Sequence, residues 1–209
     1  MHEYHKIPTV FKRNPDTKFR TLLEGEYATP ELKYLRFNDW LFTEKVDGTN
    51  IRVMWQPETG FTFGGKTDNA QIPGRLTNRL NEMFSDKTGA FMSAFDGPVC
   101  LYGEGYGAKI QKGGGNYSGT QEFVLFDVKV GYWWLEWENV VDVASKLGLR
   151  VVPVYAAGPL PKMIDVVRAG IKSAWGDFPA EGLVARPVVS LMARNGSRIV
   201  TKLKTKDFV

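Results

Sequence analysis

Short runs rich in Val, Ile, Phe and Trp recur along this chain more often than stretches of helical spacing, and the two kinds do not alternate strictly. A doubly wound parallel sheet needs such alternation, because each parallel pair is joined by a crossover helix. The pattern therefore predicts an α+β fold, with antiparallel β-sheets flanked by helices. Residues Trp40 to Trp55 (WLFTEKVDGTNIRVMW) read as two short strands around an Asp47-Gly48 turn. Further strands are expected at Pro98–Gly105, Glu122–Val130, Arg150–Tyr155, Glu181–Arg186 and Arg198–Lys204.

Helical spacing predicts a helix over Arg75–Phe84, where Leu76, Leu80, Met83 and Phe84 share a face. A second is expected over Glu136–Leu147 with Gly148 as its stop, and a third over Pro161–Lys172. No repeat, heptad or long Pro/Gly/Ser linker interrupts the 209 residues, so one domain spanning 1–209 is expected, with 1–39 as an N-terminal segment. No apolar run approaches the roughly 20 residues a bilayer demands, and MHEYHKIP lacks the apolar stretch of a signal peptide. The expectation is an intracellular chain without a membrane partner.

Composition narrows the chemistry. The single cysteine, Cys100, cannot supply a disulfide or a multi-cysteine zinc site, and the two histidines, His2 and His5, sit at the extreme N-terminus. Histidine-based hydrolysis and zinc catalysis are thereby disfavoured. A net charge of +4 permits a polyanionic partner without demanding one. The aromatic group Tyr132, Trp133, Trp134 and Trp137 reads more plainly as core or edge packing than as a platform for bases.

Two segments imitate phosphate loops. Gly60–Thr67 (GFTFGGKT) formally fits GxxxxGK[ST], and FVLFD at Phe123–Asp127 could pass for the accompanying acidic strand. A phosphate loop opens directly into a helix, yet DNAQIPG follows, with Pro73 and Gly74 breaking any such helix. A strand ending in a glycine turn is the better account. GEGYGA at Gly103–Ala108 mimics a dinucleotide fingerprint, but the glycine-rich KIQKGGGN after it supplies no helix.

The informative segment is Glu44–Arg52 (EKVDGTNIR), where Lys45 stands between a strand and a tight turn. Alone, Lys45 would be a solvated lysine beside a common turn. Its companions are YGEG around Glu104, FVLFDV around Phe126, EGLVAR beginning at Glu181, and TKLKTK containing Lys202 and Lys204. In order and character these resemble motifs I, III, IIIa, IV and V of the covalent nucleotidyltransferase superfamily of polynucleotide ligases and mRNA capping enzymes. The match runs from Lys45 to Lys204. Asn50 in KVDGTN, with YGEGYGAKIQKGGGNY leading into EFVLFDV, looks most like the ATP-dependent RNA ligases that seal nicks in double-stranded RNA.

The resemblance implies the nucleotidyltransferase (ATP-grasp-like) fold of polynucleotide ligases, and a mechanism. The Lys45 amine would attack the α-phosphorus of ATP and expel pyrophosphate, which requires a neutral lysine. Lys202, Lys204 and a bound Mg²⁺ (or Mn²⁺) are expected to be the neighbouring cations that favour the neutral amine. AMP would pass from a lysyl-AMP intermediate to a 5′-phosphate end, which is then joined to a 3′-hydroxyl. Glu44, Val46 and Asn50 would flank the nucleotide. Glu104 would bond the ribose 2′-hydroxyl, Phe126 would stack on adenine, and Glu181 would bind the metal directly or through water. Lys66 would stand near the 5′-phosphate end.

Each residue has a plainer reading. Glu104 fits a turn cap, and alternation puts Phe126 on the face of Val124 and Val128, as core. Glu181 fits a surface acid at a strand start, and Lys202, Lys204 and Lys206 fit one face of an exposed edge strand. Only TKDFV follows Lys204, so no appended C-terminal domain is expected. Lys12, Arg13, Lys18 and Arg20, alternating with Phe11 and Phe19, fit either phosphate contacts or a solvated extension. Nicked or duplex RNA with a 5′-phosphate is the expected partner of a monomer, in the cytoplasm of a bacterial or phage-infected cell. The alternatives are a phosphate-loop NTPase or kinase built on Gly60–Thr67, a noncatalytic nucleic-acid-binding protein and, among ligases, a DNA ligase or a GTP-dependent capping enzyme.

Overall fold

The Asp47-Gly48 turn does not join its two flanking strands into a hairpin. In the computed structural model, which describes residues 3–208, those strands belong to different sheets in two compact units. Met1, His2 and Val209 lie outside the described residues. Of the described residues, a mid-chain unit takes Asp47–Val152 with residues 3–5; a split unit takes Lys6–Val46 and residues 153–208.

The split unit opens with β1 (Phe11–Arg13), β2 (Leu22–Tyr27), α1 (Pro30–Tyr34) and β3 (Trp40–Glu44). It resumes with β9 (Val154–Gly158), α5 (Leu160–Ala169), β10 (Gly182–Pro187) and β11 (Thr201–Lys204). Strands β1 and β2 pair as a two-stranded sheet, and the others form an antiparallel sheet in the order β11-β10-β3-β9. Alternation along β3 sends Trp40 and Phe42 into a core with Leu183 and Ala185 of β10, Leu203 of β11, and Leu160, Met163, Ile164 and Val167 of α5. Beyond β11, Pro8–Val10 lies as a further edge: Val10 N–H donates to Lys202 O and Lys202 N–H donates to Pro8 O. That contact covers main-chain groups an edge strand would leave open.

The mid-chain unit runs β4 (Thr49–Gln56), β5 (Gly60–Gly64), α2 (Gly74–Phe84), α3 (Thr88–Ala94), β6 (Val99–Gly107), β7 (Gln121–Val130), β8 (Trp133–Trp134) and α4 (Trp137–Leu147). Its sheet is wholly antiparallel, in the order β5-β4-β6-β7-β8. One face packs on the three helices through Ile51, Val53 and Trp55, Leu101, Phe123 and Leu125, with Leu76, Leu80, Phe91 and Val140 opposite. Gly148 ends α4 in the left-handed region with its N–H on Ala144 O and Ser145 O, as its position after Leu147 led one to expect. The opposite face of the sheet is thereby left for other work.

Both units are antiparallel sheet with helices, the α+β class read from the sequence. Further local readings change, and the strand expected at Arg198–Lys204 begins only at Thr201. The strand expected at Arg150–Tyr155 is divided: Val151 bridges Leu125 of β7, and β9 starts only at Val154, after Pro153, which has no N–H to donate. The third helix stops at Ala169, three residues early, because Gly170 follows. Lys206 is not on β11 but in a 3₁₀ turn, Thr205–Asp207.

Candidate active site

Within the split unit, the end of β3 and the start of β10 lie side by side, with Leu183 paired to Glu44 and Lys45 N–H donating to Gly182 O. This register brings Lys45 to Glu181, just ahead of β10. Lys45 Nζ lies 2.6 Å from Glu181 Oε2, and Lys204 Nζ of β11 lies 2.7 Å from Glu181 Oε1. One carboxylate thus bridges two ammonium groups. Burial would push the Glu181 carboxyl up, but Lys45 and Lys204 outweigh that and hold it below the ordinary glutamate value. Lys202 shares the half-exposed face of β11 with Lys204, while Thr201 and Leu203 point inward. The sequence led one to expect cations about Lys45; the group directly upon it is a carboxylate.

Gly182 makes this arrangement possible. Its φ is +154°, and a Cβ there would stand 2.0 Å from Leu203 O, inside the β10–β11 ladder that sets Glu181 beside Lys204.

Glu44 is 2% exposed, and its carboxylate is committed to the chain. Ser173 Oγ–H donates to Oε1 at 2.5 Å and Ala174 N–H to Oε2 at 2.8 Å. Glu44 therefore fixes the Ser173–Trp175 loop against β3, while Val46 is buried at 3%. Ser173 carries no motif, so its part in holding Glu44 was not legible beforehand.

In the mid-chain unit, the sheet face turned away from the helices carries the other residues. Asn50 of β4 stands directly across from Glu104 of β6, and Glu104 across from Val124 of β7. Asn50 Oδ1 is buried and accepts no hydrogen bond. Gly48 is needed beside them, since a Cβ there would come within 2.2 Å of Gly105 O and 2.8 Å of Glu104 Cγ. Tyr117 Oη accepts from Asp47 N–H and Gln111 Nε2 donates to Gly48 O, so the glycine-rich 108–118 loop braces the turn.

Phe126 departs from simple alternation. Tyr102 pairs with Asp127 and Gly103 with Leu125, leaving Phe126 as the extra residue of a β-bulge. The bulge shifts the phase: Phe123, Leu125 and Val128 enter the core, and Phe126 does not join Val128 there. Its half-buried ring meets Tyr4 edge-on at 5.2 Å. Tyr4, whose hydroxyl donates to buried Asp127 at 2.8 Å, is part of this face that sequence pattern alone could not place.

Lys66 is exposed on the bend after β5. Arg52, 1% exposed, holds that bend, with Nε donating to Gly65 O at 2.7 Å and Nη2 2.8 Å from Asp68 Oδ1. No helix opens after Thr67; α2 begins at Gly74, so Gly60–Thr67 lacks the helix terminus a phosphate loop needs. Gly103–Gly107 is strand, which disposes of the dinucleotide fingerprint equally.

Among the described residues no group of three or more His, Cys, Asp or Glu side chains is placed to hold a metal ion. Glu181 offers one carboxylate, which fits a magnesium-like ion completing its shell with water and substrate phosphate, and does not fit a closed protein cage.

A family model described as RNA ligase matches residues 38–204. No curated protein matches the chain. Among solved structures, a Naegleria gruberi RNA ligase lysine-to-alanine mutant with ATP and Mn aligns at TM-score 0.68 and 15% identity, covering 99% of this chain and 64% of that one. A lysine-to-methionine mutant of the same ligase with AMP and Mn aligns at TM-score 0.67 and 13% identity, covering 98% and 58%. The Naegleria gruberi RNA ligase with PPi aligns at TM-score 0.66 and 16% identity, covering 98% and 58%. This chain spans about three-fifths of the length of those proteins. At such identities the likeness concerns the fold.

Proposed function

Since the chain belongs to the RNA ligase family, we propose that it is an ATP-dependent RNA ligase in which Lys45 carries AMP. The observation that supports this most is the Lys45–Glu181–Lys204 cluster, with its lysine nucleophile two positions before Asp47-Gly48. The solved ligases with ATP, AMP, PPi and Mn are consistent with ATP and a divalent ion here.

An amine attacks only through a free lone pair, so Lys45 must give up its proton and its ion pair with Glu181 before it reacts. Its nitrogen then forms a bond to the α-phosphorus as the bond to the bridging oxygen breaks, and pyrophosphate leaves. Lys204 and Lys202 present positive charge on one strand face, suited to negative charge growing on the α-phosphate and its leaving group. A magnesium or manganese ion held by Glu181 and substrate phosphate would add Lewis-acid stabilisation of the same charge. A 5′-phosphate oxygen of RNA then takes AMP from Lys45, and attack by a 3′-hydroxyl on that 5′-phosphate releases AMP and closes the strand.

Asn50 and Glu104 supply acceptors suited to nucleoside hydroxyl and amino groups, and the buried, unpaired Asn50 Oδ1 is a site that gains from a donor. Phe126, set out of the core by its bulge, supplies the aromatic surface for adenine. Nick sealing in duplex RNA is the activity that the Asn50-containing motif favours. Incubation with ATP, magnesium and matched nicked duplexes of RNA or DNA tests it: sealed RNA supports the reading, and sealing of DNA alone would replace it with a DNA ligase. Adenylylation replaced by guanylylation would move the chain to the capping enzymes.

A further inference from the structure

An open groove in the split unit, of about 1030 Å³, is lined by Lys202 and Lys204 of β11, by β1 and by the turn that follows it. Its volume is at the top of the range for small-molecule pockets. Its walls carry Lys6, Lys12, Arg20 and Lys206 besides the two strand lysines. Asp207, the one acidic side chain among the described residues of its lining, has a buried carboxylate bound to Arg13 at 2.6 Å, and offers the groove little negative charge. Lys12 meets Glu26 only as an exposed pair, a contact that salt and water weaken.

At the groove stands Phe19, 62% exposed, in a backbone conformation bulky side chains rarely adopt. Lys18 and Phe19 have φ of 52° and 61° in succession. The turn is held there by several bonds: Asn14 Oδ1 accepts from Asp16 N–H, Asn14 O from Phe19 N–H, and Thr21 O from Asn14 N–H. Strain kept in place by surrounding bonds, with an aromatic ring presented to solvent beside cations, is a feature to be explained by function.

We infer that this groove holds an unpaired stretch of the polynucleotide next to the end being joined, its phosphates on the groove's cations and one base stacked on Phe19. A base reaches a phenyl face only when it leaves its own stack, so the ring selects a single strand, or the strand end frayed at a nick, over uninterrupted duplex. This inference rests on the RNA ligase reading, because Lys202 and Lys204 line the groove.

The test measures binding of a short fluorescent 5′-phosphorylated single-stranded RNA and of a blunt RNA duplex to the full chain, alongside self-adenylylation without RNA. The single strand should bind more tightly. Phe19→Ala should weaken it about tenfold, the effect of 1.4 kcal/mol, with Phe19→Tyr restoring it. Arg20→Gln should lower the slope of log affinity against log salt by about 0.7. Both variants should self-adenylylate as the parent does. Equal binding by Phe19→Ala and parent, equal binding of duplex and single strand, or a rise confined to the KM for ATP would each overturn the inference. Absent self-adenylylation with Phe19-dependent RNA binding would sink the ligase reading and leave the groove standing.

Discussion

Lys45 and Glu181, 136 positions apart in the chain, meet with Nζ 2.6 Å from Oε2, and the second oxygen of the same carboxylate holds Lys204. Antiparallel pairing of β3, β10 and β11 fixes all three, so the chemistry of the lysine is set by the register of one sheet.

Glu181→Gln removes the charge that both lysines lean on and should cost about 1–3 kcal/mol at neutral pH. The native carboxyl titrates below its unfolded value, so its contribution is present above that value and is lost as pH falls through the folded one. Denaturant melts from pH 7 downward should show the gap between parent and variant closing in acid. A gap constant with pH would contradict the pairing.

Gly182→Ala places a Cβ 2.0 Å from Leu203 O, backbone that cannot turn aside. A loss of roughly 2–4 kcal/mol is expected, together with loss of self-adenylylation as Glu181 moves from Lys204. Urea unfolding and labelling from ATP measure the two effects.

Glu44→Ala strips acceptors from Ser173 and Ala174 at a buried position and should destabilise by about 2–3 kcal/mol. If Glu44 only faced solvent, thermal denaturation would not register the change.

Asn50→Ala deletes a buried acceptor without a partner, so stability should hold or rise slightly, while self-adenylylation falls on the order of tenfold or more. A large loss of stability with unchanged adenylylation would assign Asn50 to the scaffold.

The strands β4, β6, β7, β10 and the helices α2 and α4 were legible because apolar spacing follows directly from a helix or sheet having one buried face. The division of Trp40–Trp55 was not. Asp-Gly between two apolar runs is a local hairpin signal, whereas β3 and β4 choose partners far along the chain, β10 and β6. The short strands β1 and β2 carry no apolar alternation that would mark them in the sequence. Motif order brought out Lys45, Glu104, Phe126, Glu181, Lys202 and Lys204. The bulge at Phe126, and the contacts of Tyr4, Arg52 and Ser173, depend on three-dimensional pairing that no local pattern carries.

The most direct measurement is to incubate the chain with α-labelled ATP and magnesium, denature it, and find the labelled residue by peptide mass spectrometry. The account predicts one AMP on the Lys45 nitrogen, lost in Lys45→Ala and in Lys45→Arg. Label absent after denaturation, or carried on another side chain while Lys45 stays unmodified, would contradict it.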